Sequence, residues 1–225
     1  MNEQAVAQRL SVRRVSEFAS NETLSQFSKL FARYELYKLI IDLPGDIVEG
    51  GVFQGGGLLS WARLVQIFNP LSKRRVVGFD TFEGFPHIVR HEHDRRSATL
   101  VNEQNRDRWQ LPAEEVVRIA KLLEVEHRVE LVQGDATSTI EDYVRANPGF
   151  RVALVNLDFD MYEPTAAALK HLFPLLVPGG VIAFDEYAVR GWGESDAVDE
   201  FFRNQNVRFR AFPWASSPKA FMVKD

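Results

Sequence analysis

The chain has no cysteine. That excludes a disulfide framework, a thiolate metal site and a cysteine nucleophile. Long apolar runs are missing too: none approaches the ~20 residues that a membrane-spanning helix needs. Nor is there a surplus of positive charge. Lys and Arg number 27 against 31 Asp and Glu, a formal charge of −4, so the basic footprint of a nucleic-acid binder is absent. Lys73-Arg74-Arg75 and Arg95-Arg96 read as solvated loop charges. Residues 1–14 are polar and charged, unlike a signal peptide. These absences lead us to expect a cytoplasmic protein with neither nucleic acid nor membrane as partner. At 225 residues, 45% of them hydrophobic, the chain suits one domain, 1–225, with a full core.

What is present is a rhythm. Leu24, Phe27, Leu30, Phe31, Tyr34, Tyr37 and Ile41 recur at helical spacing, which predicts an N-terminal helical segment within 1–43 with those residues on its buried face. Leu43-Pro44-Gly45 stops it. Beyond it, strand patterns at 46–49, 75–79, 129–132, 152–157 and 181–184 alternate with helical patterns at 58–68, 112–123, 138–146, 164–173 and 194–202. Segments 207–212 and 220–223 read as two closing strands. The expected fold is α/β: a mostly parallel seven-stranded sheet with helices on both faces. Such sheets bind ligands at the carboxyl ends of their strands. The rhythm breaks at 85–110, a polar stretch with His87, His91 and His93, which reads as a lid loop.

The first strand runs into Glu49, Gly51 and Gly55, spaced acid-x-Gly-x-x-x-Gly. This is not the G-x-G-x-x-G of a dinucleotide site. Glycines let a ligand approach the backbone, and an acid suits a cationic ligand end, such as the ammonium of S-adenosylmethionine (SAM). A plain glycine turn between strand and helix is the alternative. Asp80 ends the second strand, placed either to accept ribose hydroxyls or to cap a turn; Thr81 and Phe82 open the aromatic loop behind it. Gly134, Asp135 and Ala136 end the third, with Asp135 facing an adenine amino group or capping the next helix.

Asp158, Asp185 and Glu186 follow the fourth and fifth strands. Three crowded carboxylates repel unless protons or a cation intervene. Oxygen-only ligands suit Mg²⁺, and a metal-bound hydroxyl loses its proton more easily. Helix caps with solvated neighbours are the competing reading. Asp160 is a candidate general base or a helix cap.

Four stretches carry a family resemblance: 44–56, the run Gly78-Phe79-Asp80-Thr81-Phe82-Glu83-Gly84-Phe85-Pro86, 158–165, and 178–187. They resemble the macrocin O-methyltransferase (TylF/MycF/NovP-like) family. The resemblance implies the class I SAM-methyltransferase Rossmann-like fold, SAM as methyl donor with S-adenosylhomocysteine (SAH) as product, Mg²⁺, and a sugar hydroxyl on a small-molecule acceptor. It implies cofactor contacts at Glu49, Gly51, Gly55, Asp80, Thr81, Phe82, Gly134, Asp135, Ala136 and Asp158, metal ligands at Asp158, Asp185 and Glu186, and Asp160 as base. The family pattern has two aspartates where this chain has Asp185-Glu186, and glutamate reaches one methylene further. Catechol-type relatives place a lysine base where this chain has Met161. The N-terminal segment is expected to cover the cofactor or to make a contact in a homodimer or higher homo-oligomer. An NAD-dependent oxidoreductase and a non-catalytic partner protein of the same fold are the rival readings. The first requires the dinucleotide fingerprint, and the second predicts degraded carboxylates.

Overall fold

The computed structural model describes residues 21–85, 91–104 and 112–225. The rest of the predicted N-terminal segment, and His87, lie outside the described residues. Helix α1 (Asn21–Ile40) leads into β1 (Asp46–Gly50), α2 (Gly56–Phe68) and β2 (Val76–Asp80). Then come α3 (Glu92–Gln104), α4 (Ala113–Leu122), β3 (Val129–Gln133), α5 (Ala136–Ala146) and β4 (Val152–Leu157). The chain closes with α6 (Tyr162–Leu172), β5 (Leu176–Phe184), α7 (Glu194–Phe202) and β6 (Ala220–Val223).

The sheet order is β3-β2-β1-β4-β5-β6. The first five strands run parallel, and β6 pairs antiparallel to β5. Period-two alternation sends neighbouring side chains to opposite faces. Ile47, Val76, Leu154 and Val181 pack with Leu36, Trp61 and Val116 from α1, α2 and α4. Val48, Val77, Val155 and Ile182 pack with Ile140, Leu169 and Val198 from α5, α6 and α7. Both faces are therefore covered, which is why these strands read as continuous apolar runs. The strand order reverses between β1 and β4, and the crevice beyond their carboxyl ends is where such a sheet receives a ligand.

Four details differ from expectation. The seventh strand is not formed. Segment 207–212 contributes a single antiparallel bridge, Arg210 with Phe221, and Pro213 follows directly, with no N–H to extend a ladder. Helix α1 buries Ala32, Leu36, Tyr37 and Ile40, while Leu24, Leu30 and Phe31 are exposed. Its inward face is thus partly rotated from the predicted one, with Tyr37 buried as expected and Tyr34 and Ile41 packed against the core. Arg74 is a buried cap rather than a solvated charge: its guanidinium donates to the carbonyls of Ile40, Leu43 and Gly45. A cation there satisfies the open carbonyls at the end of α1. Finally, the stretch read as a lid loop carries helix α3.

Candidate functional site

Gly51 sits at φ 83°, and a Cβ on it would lie 2.0 Å from the Asp158 carbonyl oxygen. A side chain at this position would force the β1 and β4 loops apart. With glycine there, the Asp158 N–H reaches the Gly50 carbonyl at 2.7 Å. The two loops then form one rim of a cavity of about 850 Å³ at the switch point. Small-molecule sites span roughly 300–1,000 Å³, so this one has room for a nucleoside and an acceptor together.

Of the predicted site residues, Gly51, Asp80, Thr81, Gly134, Asp135, Ala136, Asp158 and Asp160 line this cavity. Glu49, Gly55, Phe82, Asp185 and Glu186 do not line it. Glu49 is buried at 1% exposure beneath the glycine loop. Its Oε2 accepts the Trp61 indole N–H at 2.7 Å, and Oε1 stands 4.0 Å from the Arg33 guanidinium. Burial pushes its carboxyl up to about 7, held back by Arg33 and the indole hydrogen bond. Gly55 forms the left-handed N-cap of α2. The Phe82 ring packs into the core rather than into the cavity.

Asp80 accepts three backbone hydrogen bonds. Oδ2 takes the N–H groups of Val52 and Phe53, and Oδ1 that of Phe82, each at 2.7 Å. It therefore clamps the glycine loop to the loop after β2 while lining the cavity. Asp135 caps α5: Oδ1 accepts the Thr137 N–H and hydroxyl at 2.9 and 2.7 Å. The capping alternative for Asp135 thus holds, on a residue that also faces the cavity. The capping alternative for Asp160 does not. Met161 is the N-cap of α6 and makes no side-chain cap bond. The Tyr162 N–H is met instead by Asp94 Oδ2 at 2.7 Å. Asp160 takes a positive φ of 64°, an uncommon conformation outside glycine.

Several of the acids act on one another electrostatically. Burial, then Asp185 and Asp160, raise the Asp158 carboxyl well above the usual range. Burial, then Glu186 and Asp185, do the same to Asp160. Glu186 is raised by burial and by Asp185. Lys29 from α1 answers part of this charge, with Nζ 3.3 Å from Asp185 Oδ2. Among the described residues, no three His, Cys, Asp or Glu side chains stand grouped as a metal-holding set.

Sequence reasoning missed several lining residues: Lys29, Phe53, Phe85, Thr137, Tyr162 and Glu163. Tyr162 and Glu163 had a signal, since they continue the loop of Asp158 and Asp160. Lys29 had none, because it lies 156 residues from Asp185.

Comparison with known proteins agrees with this geometry. Residues 31–210 match the family model described as macrocin-O-methyltransferase (TylF). A tetracenomycin-pathway relative from Streptomyces olivaceus, an "8-demethyl-8-(2,3-dimethoxy-alpha-L-rhamnosyl)-tetracenomycin-C 4'-O-methyltransferase", is 32% identical over 160 residues, 71% of this chain and 58% of its own length. The mycinamicin III 3''-O-methyltransferase of Micromonospora griseorubida is 28% identical over 170 residues, 71% of this chain and 61% of its own. This chain thus spans about three fifths of the curated relatives it matches. The crystal structure of the calicheamicin methyltransferase CalS11 superposes with a TM-score of 0.75 at 30% identity, covering 94% of this chain and 83% of that one. With the family model spanning most of its length, the chain belongs to the macrocin O-methyltransferase (TylF) family.

Proposed function

We propose that the protein is a SAM-dependent O-methyltransferase acting on a hydroxyl of a sugar or glycoside in natural-product or polysaccharide biosynthesis. The observation that carries this is the cavity at the β1/β4 switch point, with Asp80, Asp135, Asp158 and Asp160 on its wall. SAM's nucleoside would lie along Asp80, Thr81 and Gly134–Ala136, with its methionine end against Gly51. Glu49 would support that loop from below through Trp61. The tetracenomycin-pathway relative is named for a rhamnosyl-bearing substrate, and a second CalS11 structure is that of a TDP-rhamnose 3'-O-methyltransferase.

The same reading includes Mg²⁺. Its support is the donor chemistry: Asp158, Asp185 and Glu186 offer hard oxygens, and the carboxyls of Asp158 and Glu186 are raised despite Lys29 near both and Lys219 near Glu186. These three are not grouped as a metal-holding set in the structure, so a divalent cation would have to draw them together; held so, it would neutralise that charge and acidify a hydroxyl beside it. The chain's own residues do the rest. Asp160 takes the proton of the acceptor hydroxyl at its carboxylate, whose hold on a proton is strengthened by burial and by Glu186 and Asp185 nearby. The freed oxygen displaces the sulfonium sulfur at the methyl carbon, and SAH departs. Positioning of the two molecules supplies much of the rate. Helix α3, from the stretch expected to form a lid, would stand over the acceptor side of the site. The exposed Leu24, Leu30 and Phe31 on α1 suit a homo-oligomer contact.

The experiment is a screen of nucleotide sugars and glycosides, TDP-rhamnose first, with SAM and Mg²⁺. Mass spectrometry should find an acceptor one methyl group heavier together with SAH. SAM consumption with no methylated sugar across the panel would overturn the acceptor class.

A further inference from the structure

Asp94 is a polar residue on a polar helix, yet it is fully buried, at 0% exposure. Its Oδ1 accepts the Gly193 N–H at 2.6 Å, and its Oδ2 accepts the Tyr162 N–H at 2.7 Å. Those donors lie 99 and 68 residues away in sequence. Each belongs to one of the two loops that carry the acids. Tyr162 begins α6, two residues after Asp160. Gly193 is the N-cap of α7, directly before Glu194. Glu194 in turn holds both loops: its N–H donates to the Asp160 carbonyl at 3.2 Å, and its Oε1 accepts the Glu186 N–H at 2.8 Å. A carboxylate receiving N–H groups from two helix N-termini also answers both helix dipoles.

The surroundings leave little slack. A Cβ on Gly193 would stand 2.6 Å from Asp94 Oδ2 and 2.7 Å from His91 Nδ1. The His91 ring stacks on Tyr162 with centroids 4.8 Å apart, and the His91 backbone N–H donates to Glu163 Oε1 at 2.8 Å. The Ser97 hydroxyl donates to the Gly191 carbonyl at 2.6 Å. Ala98 packs with Met161, Phe85 and Trp192. Helix α3 therefore grips both acid-bearing loops, and Asp94 is the buried centre of the grip.

We propose that Asp94 is a positioning residue: through Tyr162 and Gly193 it fixes the loops of Asp160 and Glu186 relative to each other, and so sets the acceptor side of the site. The inference rests on the methyltransferase reading above for what the loops do. How they are held is a separate, measurable matter.

The test uses the full chain with SAH bound. Hydrogen exchange in Asp94→Ala should rise at least tenfold at the amides of Tyr162 and Gly193, and stay unchanged at 51–55. Methyl transfer to TDP-rhamnose should lose about 100-fold in kcat, the scale set by small misplacements of reacting groups, while the KM for SAM stays within twofold. Asp94→Asn keeps the size and one acceptor oxygen, and should fall between. It also serves if the alanine variant does not fold. Unchanged exchange at both amides, a kcat within threefold of wild type, or a SAM KM that worsens in step with kcat would each overturn the role. A wild type inactive on TDP-rhamnose contradicts that acceptor, and the exchange result then decides Asp94 by itself.

Discussion

Lys29 on α1 and Asp185 at the end of β5 meet across the sheet edge, Nζ to Oδ2 at 3.3 Å. Lys29 is the counter-charge nearest to a group of acids that repel one another, and its own pKa is raised: burial lowers it, but Asp185 and Asp158 together outweigh that. A divalent cation at Asp185 would compete with this ammonium. Lys29→Met should therefore cost ~1–2 kcal/mol in EDTA, since a buried acid loses its partner while the lysine itself is partly solvated. That corresponds to a Tm drop of about 2–8 °C. With Mg²⁺ the gap should narrow, and Mn²⁺ titration should show about tenfold tighter binding in the variant. Equal cation affinity in both proteins would contradict competition at Asp185.

Asp158→Asn should separate stability from activity. The native carboxyl is raised mainly by burial, then by Asp185 and Asp160, so an amide of the same size relieves repulsion. In EDTA the variant should melt higher than wild type, yet transfer methyl groups at least 100-fold more slowly. Functional acids often carry such a trade-off. A variant that melts lower and keeps its rate would count against both roles.

Asp80→Ala should weaken SAH binding by about 1.5–3 kcal/mol, typical of hydrogen bonds to a charged group. Three N–H groups also lose their acceptor, so global stability should fall with it. If calorimetry finds SAH affinity intact while stability drops, Asp80 acts as a loop clamp and not as a nucleoside contact.

Glu49 gives a pH signature. Its folded-state carboxyl lies at about 7 against an ordinary 4.5. The folded protein therefore holds this proton across that window, where the unfolded chain has released it. The associated stability is fully present below about 4.5 and is lost as pH rises through about 7. Glu49→Gln should remove that slope, worth about 3–4 kcal/mol at ~1.4 kcal/mol per pKa unit. Urea midpoints of both proteins from pH 4 to pH 8 read the difference; parallel curves would show that folding leaves the Glu49 carboxyl at its ordinary value.

Much of this was legible in the sequence because it is local. The alternation Ile47/Val48, Val76/Val77, Leu154/Val155 marks buried parallel strands without reference to any partner. Gly51 and the acids after β2, β3 and β4 stand where such a sheet puts its ligand. Helix α3 was not legible as a helix with a docking face. Its residues are polar, and its anchor, Asp94, finds partners 68 and 99 residues away. Helix α1 was legible as a helix but only in part of its buried face: Tyr37 is in the core as expected, yet apolar spacing alone cannot tell Phe31, at the surface, from Leu36, in the core. Glu49 was placed at the right loop but on the wrong side for the cavity, because strand alternation does not say that a tryptophan twelve residues on will claim its carboxylate.

The central claim is that the cavity at the β1/β4 switch point takes SAM. Calorimetric titration of the purified protein with SAH, and separately with NADH, tests it most directly. The account predicts saturable SAH binding at one site per chain, weakened in Asp80→Ala, with no heat from NADH. Saturable NADH binding, or no SAH binding at all, would contradict it.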